Sequence, residues 1–104
     1  MKAGNGYMED MLLPVRSFFV AIQSDPRIGA THIAVYMALY CKCLAEGDNE
    51  IRVFASDIMP VAKIFSRMTY CKVINDLCSM GYIEYKPSFV KPSLIRLLYI
   101  KSSL

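Results

Sequence analysis

The sequence predicts a small α+β domain, mainly helical, in which a helix-turn-helix unit is followed by a two-stranded hairpin. Three observations predict it. Apolar residues recur at three- and four-residue spacing over 31–46 and 66–80, the period of a helix with a buried face. Short stretches at 50–54 and 82–86 alternate apolar and polar residues, the period of a half-buried strand. Gly47 and Gly81 fall directly after the two helical patterns, where a left-handed residue closes a helix.

The 104 residues suffice for one domain that buries roughly 60–70% of its unfolded surface. With 55% hydrophobic and 20% charged residues, the chain is too apolar to be disordered and rich enough to leave apolar surface for a second subunit. No run approaches the roughly 18 apolar residues of a membrane span, and Met1–Asp10 lacks the apolar centre of a signal peptide. A cytoplasmic protein without membrane contact is expected. Cys41, Cys43, Cys71 and Cys78 do not follow structural-zinc spacing and read as small core residues, so no metal and no cofactor is expected. Charge is unevenly placed. Residues 1–62 carry five Lys/Arg against seven Asp/Glu, a net −2, and residues 63–104 carry seven against two, a net +5, which together give the chain's +3. A basic C-terminal half is the footprint of a phosphate-backbone binder.

Taken in order, residues 1–11, with two glycines and mixed charge, read as a flexible arm before a single domain at 12–104. Pro14 suits a first helical turn, and Val15, Phe18, Phe19 and Ile22 follow at helical spacing up to Asp25-Pro26; a strand over 16–23 fits the same residues. Phe18, Phe19 and Ile22 are candidates for a dimer contact, the alternative being packing on the chain's own core. Thr31 reads as the N-cap of a helix to Glu46 whose apolar residues (Ile33, Tyr36, Met37, Tyr40 and Leu44, with Val35 and Leu39 off that stripe) mark it as the central support. His32 reads as a surface residue. Gly47-Asp48-Asn49 is a turn, 50–54 a short strand, and Ser56 the N-cap of a short helix ending near Lys63. Ile64-Phe65 then turns into a helix capped by Ser66, with Tyr70, Val73, Ile74, Leu77 and Cys78 on its apolar stripe. Two short helices joined this way form a helix-turn-helix. Strand 82–86, a loop with Pro87 and Pro92, and a β-rich run at 94–100 complete a hairpin whose tip carries Lys86, Lys91 and Phe89.

The element order resembles a winged helix-turn-helix: a three-helix core, a short strand and a β-hairpin wing, here with an extra N-terminal helix. Ser66-Arg67-Met68-Thr69, Lys72, Leu77 and Gly81-Tyr82-Ile83 together resemble the signature of GntR-type winged-helix domains. His32-Ile33-Ala34-Val35-Tyr36-Met37-Ala38-Leu39 is similar to a stretch of small winged-helix regulators of bacterial mobile elements. The resemblance implies that Ser66, Arg67 and Thr69 touch phosphates and bases and that the wing reaches the adjacent backbone. Cys71 departs from it, standing where that family usually has an arginine, as does Ile64-Phe65, which replaces a glycine-containing turn.

No catalytic constellation is visible: the sole histidine has no neighbouring nucleophile, and no glycine-rich phosphate loop occurs. The expectation is therefore a non-enzymatic protein binding double-stranded DNA sequence-specifically, a small transcription regulator or mobile-element accessory factor acting as a homodimer, with no small-molecule ligand. Helix 66–80 would lie in the major groove and the wing, 86–93, on the backbone. Arg67 would read a base or a phosphate, and Thr69 and Lys72 would hold phosphates, joined by Ser66 if it is not spent on the cap. Asn75 would reach a base edge, and Lys86 and Lys91 would anchor the wing on the backbone. The alternative is the same fold used only for protein interaction or dimerisation.

Overall fold

The computed structural model describes the backbone of residues 2–88 and 90–98, and side chains from Leu12 onward. Four helices, α1 (Lys2–Ile22), α2 (Ala30–Glu46), α3 (Ala55–Ala62) and α4 (Arg67–Ser79), pack with three strands, β1 (Glu50–Val53), β2 (Ile83–Lys86) and β3 (Ser93–Leu97). The sheet is antiparallel in the order β1-β3-β2, so the last strand lies between the other two. Phe89 and the end of the β-rich run beyond Leu98 lie outside the described residues.

The alternation seen in the sequence sets the two faces of the sheet. Ile51, Val53, Ile83, Ile95 and Leu97 point into the core. Across the opposite face, register aligns Glu50, Arg96 and Glu84 in one row and Arg52, Leu94 and Lys86 in the next. Arg96 Nε donates to Glu84 at 2.9 Å within the first row.

Helix α2 is the central support and is buried on more than one side, as its composition implies. Val35, Tyr36, Ala38, Leu39, Tyr40 and Cys43 are buried, whereas Leu44 is exposed. Burial holds the Cys43 thiol's pKa up, at about 12, so this cysteine is an inert core residue. Tyr36 stacks on Phe18 with ring centroids 3.8 Å apart, and Tyr82 meets Phe18 edge-on.

Three helices end alike. Gly47 (φ 72°) and Gly81 (φ 87°) close α2 and α4 in the left-handed conformation that glycine adopts without a Cβ clash. At Gly81 the N–H of Tyr82 bonds Leu77 O at 2.9 Å and that of Gly81 bonds Cys78 O at 3.1 Å, a Schellman pair. Lys63 (φ 62°) makes the same closure on α3, with Ile64 N–H bonding Met59 O at 2.9 Å. This lysine holds the left-handed position at the α3–α4 turn.

Several expectations are corrected. The helix expected to open at Pro14 begins at Lys2 and takes in the backbone of the segment read as an arm; Pro14 lies inside it, and the Met8–Leu13 run upstream is rich in good helix formers. Residues 16–22 are helix, not strand. Gly29, not Thr31, caps α2, because His32 reaches back and its Nδ1 accepts the Gly29 N–H at 3.1 Å. Phe54, not Ser56, precedes α3, because Asp57 Oδ2 accepts the Phe54 N–H at 2.8 Å. Each time a side chain three residues into the helix satisfies the free donor, a choice that a hydroxyl count alone misses.

The α1–α2 loop is tied to the strand side of the molecule. Tyr82 donates its hydroxyl to Asp25 Oδ2 at 2.6 Å, and Arg27 holds the same carboxylate through Nε and Nη2, both at 2.8 Å. Arg27, and then Tyr82, hold the Asp25 pKa well below the usual carboxylate range. Burial, and then this bond, push the Tyr82 hydroxyl up to about 12.

Candidate nucleic-acid interface

Helix α4 opens at Ser66, whose hydroxyl oxygen accepts the Thr69 N–H at 3.2 Å. That bond commits the Ser66 acceptor to the cap. Tyr70, Val73, Ile74 and Leu77 are buried, so the helix presents the opposite side to solvent. At 100° per residue the line farthest from the buried stripe runs through Met68, Lys72, Asn75 and Ser79. Arg67 and Thr69 are exposed on either flank of this ridge. The motif points to Arg67 as the centre of the surface; helical geometry puts Met68 there, 82% exposed.

Lys72 is not free. Its Nζ lies 3.0 Å from Asp76 Oδ2, and the same oxygen is 2.9 Å from His32 Nε2. Because His32 Nδ1 accepts the Gly29 N–H, the ring proton sits on Nε2 and is donated to Asp76. Bonds from His32 first and Lys72 second lower the Asp76 pKa. His32 is therefore no surface residue but a strut between the start of α2 and the middle of α4. The Lys72–Asp76 pair lies at the surface, where water screens such pairs and they contribute little.

The hairpin supplies the second group of cations. Lys86 ends β2, and Lys91 stands in the loop, where its N–H donates to Ser88 Oγ while the Ser88 N–H donates to Ser93 Oγ. Arg52 joins them. It is exposed on β1 and shares a row of the outer sheet face with Leu94 and Lys86. Its outward direction is implied by buried neighbours Ile51 and Val53; its place in one row with Lys86, across Leu94, depends on β1 pairing with β3. Among the described residues, Arg52, Lys63, Arg67, Lys86 and Lys91 have no ion-pair partner.

The three residues expected at a dimer contact part ways. Phe18 is wholly buried in the chain's own core and Ile22 packs against that core, so neither forms an exposed contact; Phe19 is partly exposed. Among the described residues no cluster of three or more His, Cys, Asp or Glu side chains could hold a metal ion, and no helix is long and apolar enough to cross a membrane. No protein-family profile, curated protein or solved structure matches the chain.

Proposed function

We propose that this chain is a winged helix-turn-helix domain that binds double-stranded DNA sequence-specifically. The observation that carries the reading is the exposed ridge of α4 with cationic and amide groups, joined by a hairpin bearing unpaired cations. In the bound state α4 enters the major groove, which is wide enough for one helix. Asn75 on the ridge suits the paired donor and acceptor of an adenine edge, and Met68 suits the methyl group of thymine. Arg67 and Thr69 on the flanks face phosphates, as do Lys86, Lys91 and Arg52 on the hairpin side. Lys72 exchanges Asp76 for a phosphate or a base edge. Such a domain serves a small transcription regulator or a mobile-element accessory factor.

Selection from a random DNA library with purified protein supplies the target for the test. With about five phosphates neutralised, log K falls against log salt with a slope near −4 to −5. Arg67→Ala weakens binding and makes that slope shallower while leaving the fold unchanged, because Arg67 contributes nothing to the core. Failure to enrich any sequence, or affinity indifferent to both salt and Arg67→Ala, removes the DNA reading. A second reading, docking on another protein, draws on Phe65 (90% exposed), Met68 and Val61 around the α3–α4 turn. It predicts no DNA affinity and loss of partner binding on Phe65→Ala.

A further inference from the structure

Two large apolar side chains stand open to solvent where α4 begins: Phe65 is 90% exposed and Met68 82%. Phe65 directly precedes the cap Ser66, the position from which an apolar residue often packs back on the fourth residue of the helix. Here that residue, Tyr70, is buried and the Phe65 ring is left outside, so the fold makes little use of it. Side chains that line a recess are partly covered by its walls. Phe65 and Met68 are barely covered at all, so they protrude and the recess belongs to the partner. Charge says what kind of recess it is. No acidic residue occurs between Asp57 and Asp76. Lys63 and Arg67, two positions either side of the ring, have no ion-pair partner among the described residues. The partner is therefore concave and anionic, with apolar points on its floor.

We propose that Phe65 and Met68 read pyrimidine C5-methyl groups on the floor of the DNA major groove. The inference rests on the DNA reading above and deepens it, by adding Phe65 and by naming the recognised group. That groove is walled by phosphates, and its apolar feature is the C5-methyl of thymine, a group on which phenylalanine packs. The same methyl is carried by 5-methylcytosine. A recognition helix brings its N-terminal residues to the base edges, which is the end where Phe65 and Met68 lie. Lys63 and Arg67 then meet phosphates on either side of the ring.

The test is binding of the full chain, by fluorescence anisotropy, to duplexes selected from two random libraries, one unmethylated and one with 5-methylcytosine throughout in place of cytosine. In each selected duplex, thymines are replaced one at a time by deoxyuridine, and methylcytosines by cytosine, so that only the methyl group is lost. At one position or more this should weaken binding about fourfold, the contribution of one buried methyl group. Loss at thymine, at methylcytosine or at both identifies the source of the methyl. Phe65→Ala should weaken binding to the intact duplex and abolish that discrimination, with the salt slope unchanged because no charge is removed. Affinity indifferent to every methyl, or the same methyl dependence in Phe65→Ala/Met68→Ala as in wild type, overturns the methyl reading and leaves DNA binding standing. A chain that enriches no sequence from either library overturns both, the outcome expected if the turn docks on a protein instead.

Discussion

Helices α1 and α4 are built alike on their inner sides and differ on their outer ones. Each buries an apolar stripe in the same core, Phe18 against Tyr36 for α1 and Tyr70, Val73, Ile74 and Leu77 for α4. Outside, α4 presents Lys72 and Asn75 around a single methionine, whereas α1 presents two leucines, a phenylalanine and a valine around a single arginine. The inner faces stabilise one fold. The outer faces differ in chemistry, polar and cationic on α4 and apolar on α1. Neighbouring side chains 100° apart on one helix can thus have unrelated roles, as Phe18 and Phe19 show.

The largest expected effect would break the comparison at its inner side. Phe18→Ala removes a wholly buried ring from between Tyr36 and Tyr82 and should cost about 3–5 kcal/mol, measured by denaturant unfolding. Phe19→Ala should cost less than about 1.5 kcal/mol under conditions where the chain is monomeric. Equal losses would mean that both rings belong to one core and that α1 has no separate outer face.

A smaller effect sharpens the α4 side. Lys63→Gly relieves a left-handed residue that carries a Cβ and should stabilise the chain by about 0.5–1 kcal/mol. Removing this cation should also weaken any DNA binding, so the two readouts move in opposite directions. A thermal melt that falls instead would place Lys63 in contacts its backbone geometry does not suggest.

Asp25 titrates below an unfolded aspartate because Arg27 and Tyr82 bind its charged form. Its contribution is therefore complete above the ordinary carboxylate range and is lost as pH falls through the folded value. Unfolding curves of wild type and Asp25→Asn should differ most near about pH 7 and converge progressively below about pH 4. A gap that widens in acid would show that the loop latch does not depend on the carboxylate's charge.

Much of the candidate site is legible in the sequence. The stop at Gly81, the cap at Ser66 and the stripe from Tyr70 to Leu77 place Arg67, Thr69, Lys72 and Asn75 outside the core, where they are found. Met68 escapes any reading that weighs side-chain type above helical angle. Arg52 escapes it too, because nothing near it in sequence indicates that β1 will lie beside β3, more than forty residues later.

By itself the sequence determined where the α2 and α4 helices stop, which residues α4 buries and how the strands alternate. Such features depend on residues within four positions of one another, where glycine's backbone freedom and apolar spacing act directly. Tertiary structure alone decided that β3 would be central, that Phe18 would be buried while Phe19 was left outside, and that Asp76 would be shared between His32 and Lys72. Each of these outcomes needs two segments far apart in the chain to meet, and that meeting depends on burying the whole core at once.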